Sequence, residues 1–244
     1  MDFILILIFC FITTSCFFSY GYLIANKLFK FNLTNIYEII LLGVIFLTFV
    51  ALFLNFFVSL NPTLNSGILL LGLIIYLFID KIKYKEILFS FILISSISFI
   101  TIILDNSNRP DGGLYHLPFI SILNTEKIIF GITNIHFRFG HISSMQYVSS
   151  IFNNYIFSEK GIAIPLSIIY SVSIIFFFRE IKNQNIILKL YSFFCFVFIL
   201  TSMNRYSGFG NDDPANFFYL ITLYYVIQYL IDESVQKNII FNKI

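Results

Sequence analysis

Two short strings in this chain hold the residue types that acid–base and phosphate chemistry require. The first is Arg109-Pro-Asp-Gly-Gly-Leu-Tyr-His-Leu-Pro118, which places Asp111, Tyr115 and His116 within six positions. The second is Arg205-Tyr-Ser-Gly-Phe-Gly-Asn-Asp-Asp-Pro214, with Asp212 and Asp213 immediately before a proline. A carboxylate can take a proton from an attacking hydroxyl, and a guanidinium can grip a phosphate through two parallel N–H bonds. Between the strings lie Lys127, His136 and Arg138, which add a point charge, a hydrogen-bonding ring and a third guanidinium. Pro110 and the Gly112-Gly113 pair predict a tight turn that exposes Asp111. A plainer role competes with each acid. Asp111 could cap the helix that follows it, and Asp212 and Asp213 could complement the dipole of the helix that Pro214 begins. His116 and His136 could equally be polar residues reaching toward water from an interface.

The elements that must position these residues are membrane helices. The 244 residues are 58% hydrophobic and 11% charged, with mean hydropathy +0.88, whereas soluble domains carry about 25% charged residues. A net charge of +2 is too weak a balance to suggest nucleic acid as a partner. Apolar blocks run over Phe3–Ile24, Tyr37–Leu60, Thr63–Ile79, Ile87–Leu104, Gly161–Phe178, Ile187–Met203 and Pro214–Ile231. A bilayer-crossing helix needs about 17–25 apolar residues, so the chain reads as an all-α polytopic bundle of about seven spans. The first block lacks a basic start and is too long for a signal-peptide core, so it reads as a retained helix. Phe and Tyr together make up 20% of the chain, a bias that reads as packing and lipid contact. Cys10, Cys16 and Cys195 all fall inside apolar blocks and suggest neither a disulfide framework nor a metal knot.

Residues 105–160 differ from the rest. Their short apolar stretches, Phe119–Leu123 and Met145–Phe152, alternate with charge and predict helices lying along a membrane surface. If this segment makes no net crossing, ten of the fifteen Lys and Arg fall on one side. That side is then cytoplasmic by the positive-inside bias, with the N-terminus and the loops 105–160 and 204–213 outside. Ionisable residues within spans mark ion and proton pathways, and the blocks hold essentially none; Glu38 and Lys189 lie at their edges. A carrier or flippase for lipid-linked saccharides is therefore the weaker alternative, and an active site at the outer surface the stronger reading.

The motifs Asp111-x-x-x-Tyr115-His116-Leu-Pro, Gly131-x-x-Asn134-x-His136-x-Arg138 and Asp212-x-Pro214-Ala215 resemble those of a group of bacterial multi-pass proteins. That group is in turn similar to the C-type (GT-C) membrane glycosyltransferases. The resemblance covers residues 87–231 and implies a GT-C-like core with outer-face juxtamembrane helices, preceded by three spans in 1–86 and followed by a short cytoplasmic tail, 232–244. It also implies transfer of a sugar from a polyprenyl-phosphate donor to an envelope glycan or lipid acceptor, at the outer face of the bacterial inner membrane. In that scheme Asp111 and His116 are catalytic, and Tyr115, Lys127, His136, Arg138, Arg205, Asp212 and Asp213 bind substrate. Asp212 or Asp213 could also hold a divalent cation together with Asp111. Such enzymes typically have ten or more spans. The expectation is that this chain is a piece of a longer protein or is completed by other envelope-biosynthesis proteins, among which it could be a non-catalytic subunit.

Overall fold

In the computed structural model the described residues are 2–30, 35–79, 84–105, 110–140, 144–201 and 212–231. They form the helices α1 (Asp2–Tyr22), α2 (Ile36–Asn55), α3 (Pro62–Leu77), α4 (Tyr84–Leu104), α5 (Leu117–Thr125), α6 (Ser144–Ile151), α7 (Ile164–Glu180), α8 (Ile186–Thr201) and α9 (Asp212–Ile231), with no strand among them. Five helical stretches are long and apolar enough to cross a membrane, namely Phe3–Leu28, Ile36–Asn55, Lys85–Leu104, Ser158–Glu180 and Asp212–Ile231. Two shorter apolar helices, Pro62–Leu77 and Ile186–Thr201, accompany them. The molecule is a multi-pass helical membrane bundle.

Local chemistry sets the helix starts. Asn35 Oδ1 accepts from Tyr37 N (3.1 Å) at the head of α2. Asn61 Oδ1 accepts from Leu64 N (2.9 Å) at the head of α3, where Pro62 occupies the first turn. α1 and α2 pack with their backbones nearly touching. A Cβ on Gly21 would sit 1.8 Å from the Ile39 carbonyl oxygen, and one on Gly43 would sit 1.8 Å from that of Phe17. Where lipid is as apolar as the side chains, such close approach is a main source of helix association.

α7 is the central post. Every residue from Ile164 to Phe177 is buried, and the helix touches α1, α2, α4, α6, α8 and α9. Its serines face other helices or their own turns; Ser171 Oγ lies 2.8 Å from Ser98 Oγ on α4. α9 packs along α7 and α8, and Tyr191 Oη donates to the Leu220 carbonyl (2.8 Å).

Two expectations need correction. Residues 110–116 do not make a tight turn: Pro110 and Asp111 are helical and Gly112–His116 is a π-helical turn running directly into α5. Proline suits the first turn of a helix, and the glycines, which lack side chains, let the widened turn form. Nor does α6 lie along a surface. Met145–Ile151 is wholly buried against α2, α3, α5 and α7, and eight residues, about 12 Å of helix, are too few to span.

A polar knot holds this buried helix. Asn65 Nδ2 donates to the carbonyls of Leu60 (2.6 Å), Ser150 (2.8 Å) and Asn153 (2.9 Å). Asn124 Nδ2 also donates to Leu60 O (2.7 Å) and Ser150 O (3.1 Å), and Asn153 Nδ2 donates to Asn124 Oδ1 (2.8 Å). These amides satisfy the backbone carbonyls where α3, α5 and α6 meet. The result is a rigid floor beneath residues 110–140.

Candidate functional site

The site is assembled from three segments at the loop-rich end of the bundle. The π-turn carries Tyr115 and His116, whose ring centroids lie 4.1 Å apart. π-Turns inside helices are frequent at functional sites because they re-aim side chains without breaking the helix. The second segment begins at Gly131, whose φ of +79° favours glycine, and winds through 3₁₀ turns over Ile132–Asn134 and Phe137–Gly140. His136 Nδ1 accepts from the backbone N–H of Arg138 (3.3 Å), which fixes the direction in which Arg138 leaves the chain. The third segment is α6, which brings Gln146 against His116 Nδ1.

Arg138 joins the first two segments. Its guanidinium carbon sits 4.7 Å from the Tyr115 ring centroid and 5.7 Å from that of Phe137. Its Nη1 lies 3.8 Å from Asp111 Oδ1, and the two side chains are 40% and 57% exposed. At that distance and exposure the pair is a loose contact of about 0–1 kcal/mol, so either partner can be exchanged for a ligand. His136 stacks nearly parallel to Tyr115 at 6.3 Å, and Phe139 backs His136 at 5.4 Å. Two aromatic rings, Tyr115 and Phe137, therefore flank the cation.

The structure thus brings together Asp111, Tyr115, His116, His136 and Arg138. Asp111 is itself helical and makes no capping hydrogen bond to the π-turn that follows it. Asp212 opens α9 and is exposed, and its negative charge reaches His116, as does that of Asp111. Asp213, its neighbour, is turned inward and buried, so the two acids are not equivalent. Lys127 stands apart: it is exposed at the rim of an apolar cavity and is not part of the ring cluster. Arg109 and Arg205 lie outside the described residues, as do most of the 204–213 loop and the tail 232–244.

His116 is held below its ordinary value of 6.5. Burial is the main cause. Arg138 adds to the lowering, while Asp111 and Asp212 pull the other way. The ring is therefore a neutral imidazole at neutral pH, able to donate through one nitrogen and accept through the other. Among the described residues no group of three or more His, Cys, Asp or Glu side chains is arranged to hold a metal ion. Among the described residues, Asp111 and Asp212 are the carboxylates whose charge reaches His116.

Sequence reasoning did not single out Gln146, Phe137 or Phe139. The only signal for Gln146 was an amide flanked by residues that all prove buried. Beneath the rings lies a cavity of about 230 Å³ lined by Phe119, Ile122, Leu123, Ile132, Phe139 and Tyr147 among others. Tyr147 also lines a second cavity, of about 210 Å³, that runs along α2 at Ile45, Thr48, Phe49 and Leu52. One aromatic residue therefore lines both apolar cavities.

No curated protein and no solved structure matches this chain. One family does, over nearly all of it: residues 2–242 fit the profile of a domain of unknown function, DUF8201, and the chain belongs to that family.

Proposed function

We propose that this protein is a membrane glycosyltransferase that moves a sugar from a polyprenyl-phosphate donor to an envelope glycan or lipid acceptor. The observation that carries this reading is the meeting of Asp111 with Arg138, 27 positions apart, on one ring cluster that Asp212 approaches from a third segment. The five long apolar helices and the two shorter ones, Pro62–Leu77 and Ile186–Thr201, all cross the membrane in this reading. Lys27, Lys30, Arg179, Lys182 and Lys189 then share the cytoplasmic side and the site faces outward.

The chemistry follows from the groups present. As the acceptor oxygen attacks the anomeric carbon, Asp111 takes its proton and the bond from that carbon to the phosphate oxygen breaks. The departing phosphate carries the negative charge, and Arg138 exchanges Asp111 for it, giving a fork of two N–H donors. Tyr115 and Phe137 keep the guanidinium planar to that path. His116 and His136 hydrogen-bond sugar or acceptor hydroxyls. The apolar cavities beside the cluster supply room for a hydrocarbon chain, with Lys127 at the rim as a second charge for its phosphate. Ile135 and Phe137, 70% and 72% exposed, and Phe130, 92% exposed, suit a loop lying at the level of the bilayer surface.

The test is transfer in proteoliposomes loaded with polyprenyl-phosphate sugars and supplied with envelope glycan acceptors. Arg138→Ala raises the donor KM more than Arg138→Lys does, because an ammonium keeps the charge and loses the fork. Unchanged donor use by Arg138→Ala, or wild-type protein that consumes none of the donors, overturns the proposal.

A further inference from the structure

Gln146 is a buried polar side chain that the bundle's interior brings to the ring cluster. It sits on α6, 3% exposed, and its amide nitrogen meets His116 Nδ1. A neutral imidazole has one N–H and one bare nitrogen. An amide nitrogen donates and does not accept, so the ring nitrogen facing it must be the bare one. The proton is then on Nε2, at the far edge of the ring from α6. The charged groups around His116 are Asp111 on its own helix, Asp212 at the head of α9 and Arg138 from the 3₁₀ turn. A free neutral histidine ring exchanges between its two tautomers, with Nε2–H the favoured one, and the Gln146 amide holds His116 in that form alone.

We infer that Gln146 is a positioning residue: it fixes His116 in the Nε2–H tautomer, so that the ring offers a neutral N–H donor to a substrate oxygen held between Asp111 and Asp212. This rests on the proposed transferase site for the identity of that oxygen, and on geometry alone for the tautomer. His136 serves as an internal comparison. Its Nδ1 is kept bare by the backbone N–H of Arg138, 3.3 Å away, with no part played by Gln146. The two rings therefore share a tautomer for independent reasons.

The experiment is nitrogen NMR of the full chain, labelled with ¹⁵N-histidine, in detergent micelles at neutral pH. The His116 signals are assigned as those lost in His116→Asn. The wild-type protein shows His116 with Nδ1 bare and Nε2 protonated. Gln146→Leu, which keeps the volume and removes the amide, shifts His116 to a mixture of tautomers and leaves His136 unchanged. Gln146→Glu, which can only accept, protonates Nδ1. A wild-type spectrum with Nδ1 of His116 protonated overturns the inference, and so does a Gln146→Leu spectrum identical to wild type at His116. Neither result depends on turnover, so failure of the transferase reading and failure of the Gln146 role are read separately.

Discussion

The two ends of the bundle both bring carboxylates to tyrosines, and they use them in opposite ways. At the loop-rich end Asp111 meets Arg138 at 3.8 Å with both side chains exposed, and Tyr115 serves the cation rather than the acid. At the other end Glu38 accepts from Tyr225 Oη and Glu180 from Tyr224 Oη, while Asn183 Nδ2 donates to Tyr224 Oη at 3.1 Å. Arg179 lies over the Tyr37 ring at 5.2 Å. These contacts fasten α9 to α2 and α7, so the acids there are structural clasps. A loose, wet ion pair can exchange partners, whereas a hydrogen-bonded carboxylate shielded by tyrosines is committed to one. Titratable residue types alone do not separate the two ends; exposure and partner do.

A double comparison gives the largest expected effect. Asp111→Asn lowers sugar transfer by about 10²–10⁴-fold, the usual cost of losing a general base, with no change in thermal stability. Glu180→Gln does the reverse, leaving the chemical step intact and weakening the bundle. A destabilised Asp111→Asn protein would make the loop-rich end a clasp as well.

Next come the clasps themselves. Tyr225→Phe and Tyr224→Phe each remove one hydrogen bond to a carboxylate and cost about 1.5–3 kcal/mol of stability in a detergent unfolding assay. Neutral substitutions at both positions would show that helix packing alone holds α9.

The smallest effect is in pH. Because His116 is held below 6.5 in the folded protein, the unfolded chain binds a proton that the folded one excludes. Stability therefore falls as pH drops below 6.5 toward the folded value, and is complete above it. His116→Gln flattens that part of the unfolding profile. An unaltered profile would place His116 in a more solvated setting than the one described.

Much of the bundle was legible in the sequence because apolar length is a direct signature of a membrane helix. α1, α2, α4 and α9 begin and end within a few residues of the apolar blocks. The centrality of α7 was hidden, since lipid-facing and protein-facing apolar residues read alike. The burial of α6 was hidden for the opposite reason. Ser-Met-Gln-Tyr-Val-Ser-Ser-Ile looks interfacial until Asn65 and Asn124 are seen to satisfy its backbone. At the site, Asp111, Tyr115 and His116 were visible as near neighbours in one string. Their meeting with Arg138 depends on Gly131 and two 3₁₀ turns that no periodicity announces. Glu180 ends α7 and Tyr224 and Tyr225 lie within α9, where acids and tyrosines are ordinary, and only the packing of α9 gives them a role.

The central claim is that Asp111 and Asp212 belong to one face of the membrane. Single cysteines in a background lacking Cys10, Cys16 and Cys195 test it with an impermeant thiol reagent on intact cells. Thr125→Cys, Glu159→Cys and Asp212→Cys, all at exposed positions of the loop-rich end, label from outside, and Gln184→Cys at the clasped end does not. Labelling of Thr125→Cys and Asp212→Cys from opposite sides would separate Asp111 from Asp212 by a bilayer and contradict a shared site.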